Sequence, residues 1–236
     1  MTQGQALLLI ADIGGYTAFV RSHRTSLVHA QDVVGRLLEA MIDAAPDLTL
    51  VEVEGDGVFF LGPPAGTAAG ARALVDRVGQ MYRAFHAYRR RIATFNTCAC
   101  HGCREAGDLR VKFVAHVGEI APQRVKHSVK PGGLDVILLH RLLKNTVPIP
   151  EYLLVSEPLF ALSDERVRRR GRELVQDLDG LGPVRTYFVD AAELAGALPP
   201  DPVRTRGRTL REDLGVIVRS LPFLLRLRRP RFGLTS

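Results

Sequence analysis

No apolar stretch in this chain reaches the roughly 18 residues that a membrane-spanning helix requires. The N-terminus also lacks a basic leader and a small-residue cleavage site. The two absences take a spanning anchor and a secretory signal out of the reading and set the expectation of a cytoplasmic protein. Cysteine is scarce: the three residues, Cys98, Cys100 and Cys103, fall within one short segment. An odd number at such close spacing excludes a secreted disulfide framework. Two readings stay open. With His101, the three thiols offer four ligands for a tetrahedral Zn²⁺ that would staple this loop, or they form a reduced, redox-sensitive loop.

Acidic residues are nearly missing from one region. Residues 201–236 hold nine arginines against Asp201, Glu212 and Asp213, so this stretch carries six of the seven net positive charges. The preceding body is almost neutral, and the basic balance therefore describes the partner of the tail, not the substrate of the body. Residues 214–227 are strongly apolar and framed by Arg219, Arg226, Arg228, Arg229 and Arg231. That pattern suits an anionic membrane interface, with the protein peripheral at its surface. Pro222 interrupts it as a continuous helix, so the same side chains also suit packing on the body or on a partner protein. Nucleic acid is the poorest fit of the three, since no recognition motif accompanies the arginines.

What is present is enough apolar residue, 46% of 236, to bury a core in one main domain with a tail. Residues 5–11 read as a strand, and residues 17–45 as a helical region in which Val33, Val34, Leu37, Leu38, Met41 and Ile42 recur at helical spacing before Pro46. Residues 48–53 and 58–61 form a hairpin around Gly55-Asp56-Gly57, a second helix covers 66–92, and residues 109–120 alternate as a strand. The order is the βαββαβ pattern of a ferredoxin-like α+β fold with an antiparallel sheet. A strand at 123–129, a Pro-Gly-Gly turn at 131–133, a helix over 134–145, a strand at 152–156, a helix starting near Pro158 and a strand pair at 174–178 and 184–189 complete the body.

Two aspartates stand out on this frame. Asp12 follows the first strand in Asp12-Ile13-Gly14-Gly15-Tyr16-Thr17, and Asp56 sits in the hairpin turn. The topology places them on neighbouring central strands, where two carboxylates can hold a divalent metal against the phosphates of a nucleotide. Gly14, Gly15, Tyr16 and Thr17 would present backbone N–H groups to anionic oxygens as a helix begins. Turn and capping roles explain the same residue types without a ligand.

These segments resemble the class III nucleotidyl cyclases, the catalytic domain of adenylate and guanylate cyclases, and the similarity extends over residues 5–190. The chain is similar to a bacterial branch known as a domain of unknown function, and residues 191–236 then form a basic, partly amphipathic, helical C-terminal tail. The resemblance implies a nucleotidyl cyclase fold with extra C-terminal strands, Asp12, the Ile13 carbonyl and Asp56 as ligands of Mg²⁺ or Mn²⁺, and a purine nucleoside triphosphate as ligand. It implies Glu52 as a base-reading residue of the type seen in guanylate cyclases, with the second base-reading position on or near Lys130. Phe113-Val114-Ala115-His116-Val117-Gly118 is similar to the strand carrying a His-x-Gly. The helix containing His140 and Arg141 is similar to the one that supplies transition-state residues, so Arg141, with Lys144 one turn later, is a candidate catalytic cation acting across a homodimer interface.

The chain also departs from the pattern. Ile137 stands where an Asn orients the ribose, and Asp179-Gly180-Leu181-Gly182 holds no Lys where the family places one on the triphosphate; Lys144 and Lys112 are the substitutes the chain offers. Two functions follow: a divergent cyclase that forms a cyclic nucleotide and releases pyrophosphate, or a catalytically degenerate sensor or scaffold anchored by its basic tail.

Overall fold

The first strand decides the architecture. In the computed structural model, which describes residues 3–22, 27–64, 67–95 and 106–200, β1 (Gly4–Gly14) buries Leu7, Leu9, Ala11 and Ile13 on one face and Ala6, Leu8 and Ile10 on the other. A strand that is apolar on both faces belongs in the middle of a sheet covered twice. Its partners are β2 (Thr49–Glu54), β3 (Gly57–Pro64), β4 (Arg110–Val125), β6 (Tyr152–Ser156), β7 (Arg172–Leu178) and β8 (Gly182–Asp190), in the order β2-β3-β1-β4-β6-β8-β7. A short strand, β5 (Ser128–Gly132), folds back on the far half of β4. The pairings are antiparallel except that of β4 with β6.

One face of the sheet carries α1 (Tyr16–Ser22), α2 (Leu27–Asp43) and α3 (Ala68–Phe95), joined by α5 (Glu157–Leu162), α6 (Glu165–Arg170) and α7 (Ala191–Ala195). In α3, Leu74, Val78, Met81 and Phe85 recur on one side and are buried against the odd-numbered residues of β1 and β4. Each such side chain contributes about 1.5–3 kcal/mol. Among the described residues the other face carries a single helix, α4 (Leu134–Leu142), which buries Val136, Leu139 and Leu142 on Leu8, Ile10, Val114 and Leu154. Asn145 closes that helix: its amide donates to the Leu142 carbonyl at 2.7 Å, and its side-chain oxygen accepts from the Tyr152 hydroxyl at 2.8 Å.

The α+β fold with a βαββαβ core and further strands is as the sequence predicts, and four details differ. The helical region 17–45 is two helices, α1 and α2. β1 continues to Gly14, so Asp12 lies within the strand and not at its end. The single strand expected at 123–129 is a hairpin, β4 to β5, whose turn holds Lys126 at φ 52°. α4 lies on the second face, where a ferredoxin-like pattern places helices on one side only. The cysteine cluster with its zinc reading (Cys98, Cys100, His101, Cys103) and the tail from 201 onward lie outside the described residues. No described helix is long and apolar enough to cross a membrane.

Candidate functional site

Strand register brings the two aspartates together. Asp12 continues the even-numbered row of β1 toward α4 and pairs in register with Gly57, the first residue after the β2–β3 turn that holds Asp56. The Ile13 N–H donates to the Asp56 carbonyl at 3.0 Å, which ties the turn to β1. Burial, and then the negative charge of Asp12, push the Asp56 carboxyl above its ordinary value. Two carboxylates that repel in a half-buried cleft form a site that a cation would relieve.

A cation from the protein already reaches one of them. Lys112 stands directly opposite Asp12 across the β1–β4 pairing, and its Nζ lies 3.0 Å from Asp12 Oδ2 and 3.3 Å from the Leu143 carbonyl at the end of α4. His140 and Leu143 of the α4 end, with Asp12, Glu54, Gly57 and Phe59, line a small pocket of about 50 Å³. His140 is held there edge-on to Phe59, ring centroids 5.4 Å apart. The sequence offers Lys112 as a substitute cation, and its contact with Asp12 comes from the register that puts residue 112 beside residue 12.

The donor set suits a hard divalent ion in kind. Asp12 and Asp56 supply carboxylate oxygens and Ile13 a backbone carbonyl, the ligand types that Mg²⁺ and Mn²⁺ prefer. Among the described residues no group of three or more His, Cys, Asp or Glu side chains comes together as a metal site. Such an ion would therefore take its remaining ligands from water and from a phosphate-bearing ligand.

The other candidates fall into separate places. Gly14 ends β1, Gly15 turns the chain with φ 86°, and Tyr16 and Thr17 begin α1; the Tyr16 hydroxyl accepts from the Gln31 amide at 2.9 Å. Glu52, on β2, is ion-paired with Lys130 of β5, and that contact holds its carboxyl below the ordinary value. The two base-reading candidates are thus in contact with each other. Arg141 and Lys144 are not in the aspartate pocket. With Val136, Ile137 and His140 they line a surface groove of about 370 Å³ along α4. Arg141 Nη1 lies 3.6 Å from Asp179 Oδ2, in the β7–β8 turn where the resemblance led to the expectation of a cation.

His116 has a structural explanation that the sequence did not reveal. Only 3% exposed, it contacts Ser156 Oγ through Nδ1 at 2.6 Å and Asp135 Oδ1 through Nε2 at 3.0 Å, while the Glu119 N–H donates to Asp135 Oδ2 at 2.6 Å. The relay fastens the first turn of α4 to β4 and β6. Burial pushes the imidazole below its ordinary value, outweighing the upward pull of Asp135. As pH falls through about 6.5, the unfolded chain therefore binds a proton that the folded one resists, and stability drops. The thermal midpoint of the wild type should fall more steeply between pH 7.5 and 5.5 than that of His116→Gln; parallel slopes would contradict this.

The comparisons with known proteins come down on the same architecture. Residues 34–152 match the family described as "Protein of unknown function (DUF2652)". An uncharacterized protein of Mycobacterium tuberculosis strain ATCC 25618 / H37Rv, Rv2561/Rv2562, is 37% identical over 204 residues, covering 86% of this chain and 94% of its own. Among solved structures, the adenylyl cyclase CyaB from P. aeruginosa superposes with a TM-score of 0.60 at 16% identity, covering 86% of this chain and 98% of its own. The guanylyl cyclase Cya2 does so at 0.61 and 19%, covering 79% and 92%. At these identities the structural likeness is one of fold. Half the chain matched by one family and a full-length relative at this identity place it: the chain belongs to the DUF2652 family and carries the class III nucleotidyl cyclase fold.

Proposed function

We propose that this protein binds a purine nucleoside triphosphate together with Mg²⁺ or Mn²⁺ in the cleft beside Asp12 and Asp56. The observation that carries this reading is the register that sets Asp12 beside the turn holding Asp56, where burial and then the charge of Asp12 raise the Asp56 carboxyl. Asp12, Asp56 and the Ile13 carbonyl would hold the ion, which supplies charge neutralisation at the phosphates and, in a catalyst, activation of the ribose 3′-hydroxyl. The backbone of Gly14, Gly15, Tyr16 and Thr17 would face the phosphates. Glu52 would accept from the guanine N1–H and N2 amino group in place of its ion pair with Lys130, which puts guanine slightly ahead of adenine. The structural neighbours include an adenylyl and a guanylyl cyclase, which supports a nucleotide as the ligand class.

Catalysis, on this reading, needs a second copy of the chain. Arg141 and Lys144 line the α4 groove and not the aspartate pocket, so on this reading they serve a reaction across a homodimer interface. A specific observation favours the alternative of a sensor without turnover: Ile137 is 48% exposed in the groove where the resemblance calls for an amide, and Asp179 reaches toward Arg141. Losing such an amide from the transition state costs on the order of 3 kcal/mol.

The test is equilibrium binding of GTP and ATP in Mn²⁺, with cyclic product sought by mass spectrometry. Wild type should bind GTP in a Mn²⁺-dependent manner, and Asp12→Asn or Asp56→Asn should each weaken binding by roughly 10- to 100-fold, the weight of one charge-assisted contact. Binding indifferent to both substitutions would remove the site. Binding without cyclic product would select the sensor.

A further inference from the structure

The cation that touches Asp12 belongs to the protein itself: Lys112, offered by the sequence as a stand-in for the missing triphosphate Lys, is tied instead to a carboxylate. Lys112 Nζ has two partners, Asp12 Oδ2 and the carbonyl of Leu143. Its side chain is 25% exposed and that of Asp12 19%, so the pair is shielded from solvent more than a surface ion pair is. Lys112 offsets one of the negative charges that Asp12, Asp56 and Glu54 bring to the cleft. The groups facing Lys112 from the elements packed around it are Asp12 on β1, Asp56 in the β2–β3 turn, Tyr152 on β6 and the α4 end.

Resting on the reading of this cleft as a metal–nucleotide site, we propose that Lys112 is a resident counter-cation that excludes a free divalent ion and admits one only when a phosphate arrives with it. A bare ion must take Asp12 away from the ammonium and leave two cations side by side. An ion accompanied by phosphates brings anionic oxygens that the displaced ammonium can pair with, while its second contact, the Leu143 carbonyl, keeps it at the site. Lys112 is thus a specificity-determining residue for the form of the ligand: metal bound to nucleotide in preference to metal alone. An Arg would keep the charge, whereas a Gln keeps only hydrogen-bonding capacity.

Mn²⁺ titration followed by electron paramagnetic resonance, with and without GTP, tests this without any turnover. Wild type should bind Mn²⁺ alone weakly and gain strongly on adding GTP. Lys112→Gln should bind Mn²⁺ alone at least about tenfold more tightly, as expected from removing a like charge a few ångströms away, and should gain less from GTP. Lys112→Arg should behave as wild type, and circular dichroism would verify that both variants fold. Equal affinity for Mn²⁺ alone in the folded wild type and Lys112→Gln would overturn the role of Lys112 and leave the cleft standing. Absence of Mn²⁺ binding in all three proteins, even with GTP, would instead remove the metal–nucleotide site and the inference with it.

Discussion

Gly118→Ala is expected to destabilise the protein by about 3–5 kcal/mol. A Cβ at position 118 would sit 2.3 Å from Cγ, 2.4 Å from Oδ2 and 2.5 Å from Cβ of Asp135. The last of these atoms is fixed by the backbone of α4, so rotating the side chain cannot relieve the overlap. The first turn of α4 must move, at an overpacking cost of about 1–3 kcal/mol. Moving it also pulls Asp135 off His116 and off the Glu119 N–H, contacts of a charged group worth about 1.5–3 kcal/mol. For a domain of this size the midpoint should fall by about 10 °C. Asp135→Gly removes the three obstructing atoms, so adding Gly118→Ala to that variant should cost much less than it does in the wild type. Additive effects in this double-mutant cycle would show that the close approach of β4 and α4 does not limit stability. Because α4 carries His140 at the aspartate pocket and Arg141 and Lys144 along its groove, the same shift should also weaken the nucleotide binding proposed above.

The second large effect is expected on the opposite face, at Glu151. Its Oε1 accepts from the Val111 N–H at 3.1 Å and lies 3.1 Å from His86 Nε2, and its Oε2 accepts from the Tyr82 hydroxyl at 3.2 Å. Burial alone would push this carboxyl up, but the contact with His86, the Val111 N–H and the nearby Arg89 guanidinium together hold it below its ordinary value. The neighbouring Tyr82 hydroxyl is pushed up to about 12, first by burial and then by the Glu151 charge. Glu151→Ala leaves these donors without their acceptor beside the core, and truncating one member of such a buried network costs about 3–5 kcal/mol. The sign of the pH dependence follows from the lowered value. Stability from the ionised carboxylate is present above its unfolded value near 4.5 and is lost as pH falls through the folded one. Urea midpoints of wild type and Glu151→Ala should therefore differ widely at pH 7 and converge below pH 4; a difference independent of pH would assign the loss to packing alone.

Those two positions show where reading the sequence stops. The strand at Tyr152–Ser156 and the hairpin around Gly55-Asp56-Gly57 were legible, one as a continuous apolar run and the other by its turn residues. The turn at Lys126 and His127 was not, since it bends β4 into β5 without Gly, Asn or Pro. α6 escaped too: its Arg168, Arg169 and Arg170 give no apolar period, and only Val167 is buried. At the site, Asp12 and Asp56 could be picked out because each sits in a local motif. Asp135 and Glu151 could not, nor could the contact of Lys112 with Asp12, because these partners come from strand register and from elements 16 or more positions distant in the chain. The partnership of Glu52 with Lys130 likewise depends on β5 folding back over β4.

The course of the chain after α7 has its own consequence. Arg83 and Arg90 of α3 donate to the carbonyls of Ala195 and Pro199, each at 2.5 Å, which keeps the departing backbone against the helical face. Asp12, Lys112 and α4 occupy the reverse side of the sheet. Up to residue 200 the backbone therefore lies across the sheet from the aspartate pocket, which leaves the α4 side uncovered by this stretch of chain.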